Sequence, residues 1–182
     1  MMQIDETIIN RCQTGDRDAF RSLVECCQGM VFSVALKMLA DEDEAKDIVQ
    51  ETFLRVWQNI SKYDSSKRFT TWLYAIVSRL CLDRLKSRRH IVAMPEDEAV
   101  LRHYAANDGG LELENREWVA IVRLLAEGLS PMQRLVFTLS QLEGLTSQEV
   151  EQATGMSARQ VKSNLYVARQ TIRERLKKLG YE

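Results

Sequence analysis

Glycine and proline are scarce, 8 and 2 in a chain of 182 residues, which excludes collagen-like and Gly/Pro-rich disordered classes. Histidine is nearly missing. His90 and His103 are the only two, and the four cysteines, Cys12, Cys26, Cys27 and Cys81, form no C-x-x-C pair, so zinc-ligand spacing is absent. All four thiols are expected to be reduced and to serve as small buried or half-buried hydrophobes. No G-x-G-x-x-G, P-loop, H-E-x-x-H or G-x-S-x-G occurs, which removes the common phosphate cradles, zinc sites and nucleophile elbows. No catalytic residue, metal or cofactor is expected. Nor does any run approach the roughly 18 apolar residues of a membrane span. The start, Met1-Met2-Gln3-Ile4-Asp5-Glu6, lacks the basic and apolar regions of a signal peptide, so the expectation is a cytoplasmic protein with no membrane insertion.

What is present is an ordinary globular composition, 45% apolar and 28% charged, enough for one or two compact domains. The net charge of -1 conceals strong banding. Residues 1–61 hold 6 basic and 11 acidic side chains; residues 62–89 hold eight basic against Asp64 and Asp83; residues 159–178 hold seven basic against Glu174. Between the basic bands, residues 93–115 carry six acids against Arg102, with Pro95 and Gly109-Gly110 and no sustained apolar period. That stretch reads as a flexible acidic linker. It divides the chain into domains at 1–92 and 116–182, and extended it could span roughly 75–80 Å, so the domains need not touch. Two basic bands mark two places that could meet a polyanion.

Long patterns of period 3.6 and no alternating segments predict an all-α fold of two small helical domains. Ser130-Pro131-Met132-Gln133, Thr146-Ser147-Gln148-Glu149 and Ser157-Ala158-Arg159-Gln160 each fit the capping box, which predicts helices starting near 131, 147 and 158. Earlier helices are expected from Asp16 or Thr14 to about Ala40, from Asp41 to about Ile60, and from Thr70 or Thr71 to about Arg89.

Three constellations stand out. On the second of these helices Ala45, Ile48, Val49, Thr52, Phe53 and Val56 form one core face, while Leu54 lies nearly opposite, among Asp47, Gln50, Glu51 and Gln58. An apolar anchor ringed by acids and amides suits a protein-binding surface. The loop 61–69 mixes cations with Tyr63 and Phe69 and could hold unstacked bases on those rings, although Trp72 is expected in the core. After it, Arg79, Asp83 and Lys86 share a polar stripe, where Arg79 and Asp83 could alternatively pair at i, i+4. Arg84, Lys86, Arg88 and Arg89 are expected to meet phosphates. Last, the predicted helix at 147–154, Gly155-Met156 and a fresh cap at Ser157 have the layout of a helix-turn-helix. Its second helix buries Val161, Leu165, Ala168 and Ile172 and leaves Arg159, Lys162, Ser163, Tyr166, Arg169 and Arg173 outward, a face suited to the major groove.

In this order the motifs resemble a bacterial sigma factor. Residues 43–57, from Asp43-Glu44-Ala45-Lys46 to Arg55-Val56-Trp57, resemble the polymerase-binding signature; Phe69-Thr70-Thr71-Trp72-Leu73-Tyr74-Ala75-Ile76 with Asp83-Arg84-Leu85 resembles the melting and minus-10 region; Leu129-Ser130-Pro131, Glu143-Gly144-Leu145-Thr146 and Val161-Lys162-Ser163-Asn164-Leu165 resemble the minus-35-binding domain. A short chain with just these two domains is similar to the extracytoplasmic-function group of the sigma-70 superfamily. The resemblance implies that Asp47, Gln50, Glu51 and Leu54 dock on the clamp of the largest subunit of core RNA polymerase. It implies that Lys62, Tyr63, Lys67, Arg68 and Phe69 capture a flipped non-template base, with Arg79, Asp83 and Lys86 near the minus-10 element. Arg159, Gln160, Lys162, Ser163, Tyr166, Arg169 and Arg173 would contact minus-35 DNA. The acidic linker would thread the RNA path, and an anti-sigma factor is implied as a further partner, although no residue here supports it. Arg79 stands where the family often has Asn, Glu151 where it has a small residue, and Asn164 and Val167 where it often has Arg; these differences bear on promoter choice rather than class. Rival readings are an autonomous helix-turn-helix repressor, which leaves Leu54 and the first basic band unexplained, and a protein-binding helical adaptor, which leaves both bands unexplained.

Overall fold

The computed structural model describes residues 4–92 and 128–178. The expected linker and the first residues of the second domain, 116–127, lie outside these. Among the described residues there are seven α-helices and no strand, the all-α architecture that the periodicity predicts.

The first domain holds α1 (Glu6–Gln13), α2 (Arg17–Leu39), α3 (Glu42–Asn59), a short 3-10 turn (Ile60–Lys62) and α4 (Phe69–Val92). Its starts are chemically explicit. The Asp16 carboxylate accepts from the Asp18 and Ala19 N–H groups at 3.0 Å, and that of Asp41 from Glu44 N–H at 2.9 Å, each satisfying donors that an α-helix leaves orphaned. α1, capped by Asp5 onto Thr7 N–H at 2.9 Å, is not foreseen from the sequence. α4 begins earlier than its threonines suggest, because Phe69 is held in the core and starts the helix there.

α2 is the central element. By length and composition alone it could cross a membrane, but Leu23, Cys27, Val31, Val34, Ala35 and Met38 are wholly inside the protein, against Ile48 and Val56 of α3 and Leu73 and Val77 of α4. Of the cysteines, Cys12, Cys27 and Cys81 are buried as expected. Cys26 is exposed and so departs from that expectation: it lies one residue, or about 100°, off the inward stripe carried by Leu23 and Cys27.

In the second domain α5 (Pro131–Phe137) runs into a π turn (Thr138–Leu142), followed by α6 (Ser147–Thr154) and α7 (Ala158–Lys178). The three expected capping boxes form at Ser130, Thr146 and Ser157. Gly155 ends α6 at φ 73°, a left-handed conformation that glycine adopts without Cβ strain.

The domains are not held apart. Leu135, Val136, Leu139, Leu145 and Val150 belong to the same buried cluster as the first domain's core, so domains that the linker's reach leaves free to stay apart are in contact. A linker long enough to separate them also permits closing at a loop-closure cost that grows only slowly with length, and apolar surface on both sides favours contact. The C-terminus of α2 shows the join: Arg88 Nη1 of α4 donates to Leu39 O at 3.0 Å and Arg134 Nη1 of α5 to Met38 O at 2.7 Å. Both cations sit where the helix dipole is negative.

Arg88 also grips the Glu44 carboxylate through Nε and Nη2. Arg88→Met is therefore expected to lower unfolding stability by about 1–3 kcal/mol, since a charge-assisted pair and a helix cap are lost together. Urea titration should show a lower midpoint at an unchanged slope.

Candidate functional surfaces

The outer face of α3 carries Leu54, 51% exposed among core-type residues. Asp47 and Gln50 are exposed beside it, and Glu51 is half-buried and paired to Arg55 at 2.8 Å. With Leu80, Asp83, Arg84 and Ser87 of α4 they line a groove of about 530 Å³. The four residues proposed from sequence are thus brought together. Trp57, one turn along from Leu54, was missed: it is 36% exposed and meets Phe20 edge-on at 4.8 Å between ring centres. Its i, i+3 spacing from Leu54 was the available signal.

The loop after α3 differs from expectation. Tyr63 and Phe69 turn their rings inward, into a cluster with Trp72 at centroid separations of 5.1–5.5 Å. They are 9% and 5% exposed, so they are not open stacking platforms, because burying two rings outweighs leaving them in water. Tyr63 O–H donates to Lys67 O, and Gln13 Nε2 of α1 donates to Tyr63 O at 2.9 Å. The cluster thereby shapes the loop, leaving Lys62, Lys67 and Arg68 exposed. Between the loop and α1 lies a cavity of about 1040 Å³ walled by Ile4, Asn10, Ser65, Lys67 and Arg68, among others. α1 is a wall that the sequence reading lacked.

Along α4, Arg79, Asp83 and Lys86 are exposed on one stripe, and no ion pair joins Arg79 to Asp83 among the described residues. Arg88 and Arg84 correct the phosphate reading of the helix end. Arg88 is spent on Glu44 and α2, and Arg84 Nη1 lies 3.9 Å from Glu44 and 4.0 Å from Asp47. The Arg89 side chain is outside the described residues.

α6, the Gly155 turn and α7 form the expected helix-turn-helix. Val161, Ala168 and Ile172 are buried and Leu165 half-buried, while Arg159, Lys162, Ser163, Tyr166, Arg169 and Arg173 are exposed together. Tyr166 is 64% exposed. Two members carry extra duties. Gln160 Oε1 accepts from Ser157 N–H at 2.9 Å to complete the cap, and Arg169 Nη2 donates to Gln141 Oε1 at 2.9 Å. No cluster of His, Cys, Asp and Glu that could hold a metal occurs among the described residues.

Two family models match the chain in order: sigma-70 region 2 over residues 23–91 and sigma-70 region 4 over residues 120–172. The chain is an extracytoplasmic-function member of the sigma-70 family. It is 28% identical to the sigma factor SigW of Bacillus subtilis over 94% of this chain and 96% of that protein. It is 26% identical to the sigma-E factor of Haemophilus influenzae over 96% of each. The fold resembles that of CnrH in complex with the cytosolic domain of CnrY, with a TM-score of 0.71 at 21% identity over 96% of this chain and 97% of that one. It also resembles the sigma factor RpoE of Bartonella quintana, crystallised with the anti-sigma factor NepR, with a TM-score of 0.65 at 21% identity over 87% of this chain and 96% of that one. By family the sigma factor is a regulatory, non-catalytic protein, and it serves promoter-specific transcription initiation with RNA polymerase.

The cap of α6 yields a pH prediction. The Glu149 carboxyl is held below its ordinary value first by the Thr146 backbone N–H; burial opposes this, and the Thr146 hydroxyl and Arg68 each add a smaller lowering. A depressed folded value means stabilisation that is complete above the unfolded value, near 4.5, and lost as pH falls through the folded one. The stability difference between wild type and Glu149→Gln is expected to be largest at neutral pH and to shrink below about pH 4.5. Urea midpoints across pH 3 to 7 check this.

Proposed function

We propose that this sigma factor docks on the clamp of the largest subunit of core RNA polymerase through Asp47, Gln50, Glu51 and Leu54. The first domain reads and helps to melt the minus-10 element, and the helix-turn-helix reads the minus-35 element, in the cytoplasm where polymerase acts. The observation that carries the reading is the exposed Leu54 in its acidic ring beside an open groove. An exposed leucine with carboxylates around it gains most when a complementary partner desolvates the leucine and pairs the acids.

For the minus-10 element, Lys67 and Arg68 supply phosphate contacts at the rim of the cavity beside the loop, Lys62 supplies one at the start of the loop, and Tyr63 and Phe69 act by holding the loop's shape. A flipped base needs a pocket that excludes water and offers hydrogen bonds at the rim. The cavity edge offers Ser65, Ser66 and Asn10 for this. Arg79, Asp83 and Lys86 extend the contact along α4. For the minus-35 element, Arg159, Gln160, Lys162 and Ser163 occupy the first turns of α7 and reach base edges; Tyr166, Arg169 and Arg173 follow towards the phosphates. An anti-sigma factor is a further proposed partner, on the strength of the family and of the complexes named above.

Leu54→Glu is expected to leave helicity and melting temperature unchanged and to abolish co-purification with core polymerase, because a central anchor is worth about 2 kcal/mol or more. Wild-type co-purification would refute the docking face. Within α7, Arg159→Ala is expected to relax preference at one or two minus-35 positions, costing about 1–3 kcal/mol on a cognate promoter and little on variants there. Arg173→Ala should weaken all promoters alike and lower the salt slope by about one unit. Holoenzyme binding to single-base minus-35 variants at several salt concentrations separates the two.

A further inference from the structure

We propose that the cleft between α4 and the second domain is a binding site for a small amphipathic acid, a medium-chain carboxylate that carries a hydroxyl at its far end. The site itself does not depend on the function proposed above; its competition with minus-10 DNA does.

The cleft encloses about 610 Å³ between two walls of different chemistry. On α4, Ala75, Ser78 and Leu82 recur at i, i+3 and i+7 and make its floor, while Arg79, Asp83 and Lys86 form the neighbouring, exposed stripe. Met132 and Leu135 of α5 and Ala153 of α6 supply the apolar part of the second wall. Glu143 of the second domain ties the walls together: its carboxylate accepts from Lys37 Nζ at 2.6 Å and Ser33 Oγ at 3.0 Å, both on α2, and from Tyr74 O–H of α4 at 3.4 Å. A volume of this size, lined mostly by apolar side chains with a few polar groups, is typical of sites for small organic molecules.

Three observations set the chemistry of the ligand. Ser78 is 2% exposed and its hydroxyl has no hydrogen-bond partner. A buried hydroxyl left unpaired is costly, and a ligand hydroxyl at the floor of the cleft relieves that cost. Met132 is 40% exposed and Leu82 half-buried, so a hydrocarbon chain laid between the walls gains by covering them. The lining residues of the second domain are all uncharged, and on α4 two cations, Arg79 and Lys86, stand against one acid, Asp83, which leaves one positive charge. Arg79 and Asp83 are four residues apart and offset each other. Lys86 is the surplus charge, and it makes no ion pair among the described residues. A single carboxylate beside it neutralises the lining.

The length of the ligand follows from the helix. Ser78 and Lys86 lie eight residues apart on α4, or about 12 Å along its axis at 1.5 Å per residue. An extended ten-carbon chain with a hydroxyl at one end and a carboxylate at the other matches that span. Because Arg79, Asp83 and Lys86 are also the residues proposed to extend the minus-10 contact, this ligand and single-stranded DNA use one surface, and each lowers the affinity for the other.

The test is isothermal titration calorimetry of the full chain with 10-hydroxydecanoate, decanoate and decane-1,10-diol, each below its micelle concentration. The hydroxy acid is expected to bind one per chain with a dissociation constant of about 0.1 mM. Decanoate should bind about fivefold more weakly for want of the hydroxyl, and the diol about tenfold more weakly for want of the charge. Ser78→Ala should bind the two acids alike, and Lys86→Gln should lose the preference for the hydroxy acid over the diol. Met132→Glu, at an exposed position of the second wall, should weaken both acids about tenfold by placing a like charge against them. A dissociation constant above about 1 mM for the hydroxy acid, or binding of all three probes alike and indifferent to these substitutions, would overturn the site. The competition is read by fluorescence anisotropy of a short random-sequence single-stranded DNA, whose affinity for the wild type should fall about tenfold at saturating hydroxy acid. Saturable binding of the acid with unchanged DNA affinity would overturn the competition and count against the minus-10 assignment of this stripe, leaving the site standing.

Discussion

The C-terminus of α2 is the point on which the arrangement turns. A helix of 23 residues ends inside the protein, and its last carbonyls need donors because no water can supply them. Two come as guanidinium groups, Arg88 from α4 and Arg134 from α5. Ala40, the one non-glycine residue with positive φ among those described, lets the chain leave the helix and send Asp41 straight into the cap of α3. One helix end thereby positions α3, whose outer face carries Leu54, and α4, whose stripe carries Arg79, Asp83 and Lys86. It also meets the second domain.

This arrangement explains why the arginines at the end of α4 are not equivalent. In a count of charges, Arg84, Arg88 and Arg89 contribute to one basic band. In the fold, Arg88 is committed to Glu44 and to a helix end, and Arg84 lies beside two carboxylates. The cations left for nucleic acid are those on the loop and on the outward stripe. A formal count overstates a polyanion-binding surface wherever interior helix ends and carboxylates need the same charges.

The aromatic loop shows a similar division between chemistry and placement. Cations and rings interleaved in sequence suit a site for unstacked bases, but whether a ring stacks on a base or on its neighbours depends on the depth to which it is packed. Tyr63, Phe69 and Trp72 pack on one another. The surface available to a base is then the cavity against α1, an element whose eight residues are too few and too polar to announce themselves by periodicity.

Local information determined most of what is local. The capping boxes at Ser130, Thr146 and Ser157, the helix start at Asp16, the outward Leu54 and the basic outer face of α7 were all legible, because helix caps and 3.6-residue periodicity act within a few residues of sequence. Motif order carried the family. Tertiary structure alone decided the partners of Arg68, Arg88, Arg134 and Glu143, the inward turn of Tyr63 and Phe69, the exposure of Cys26 and the contact between the domains. Those depend on which side chains meet across tens of residues, and a pairing such as that of Lys37 with Glu143 leaves no periodic trace in the chain. Burial fixes the choice, since a charge withdrawn from water must find its partner in whichever element the fold brings against it.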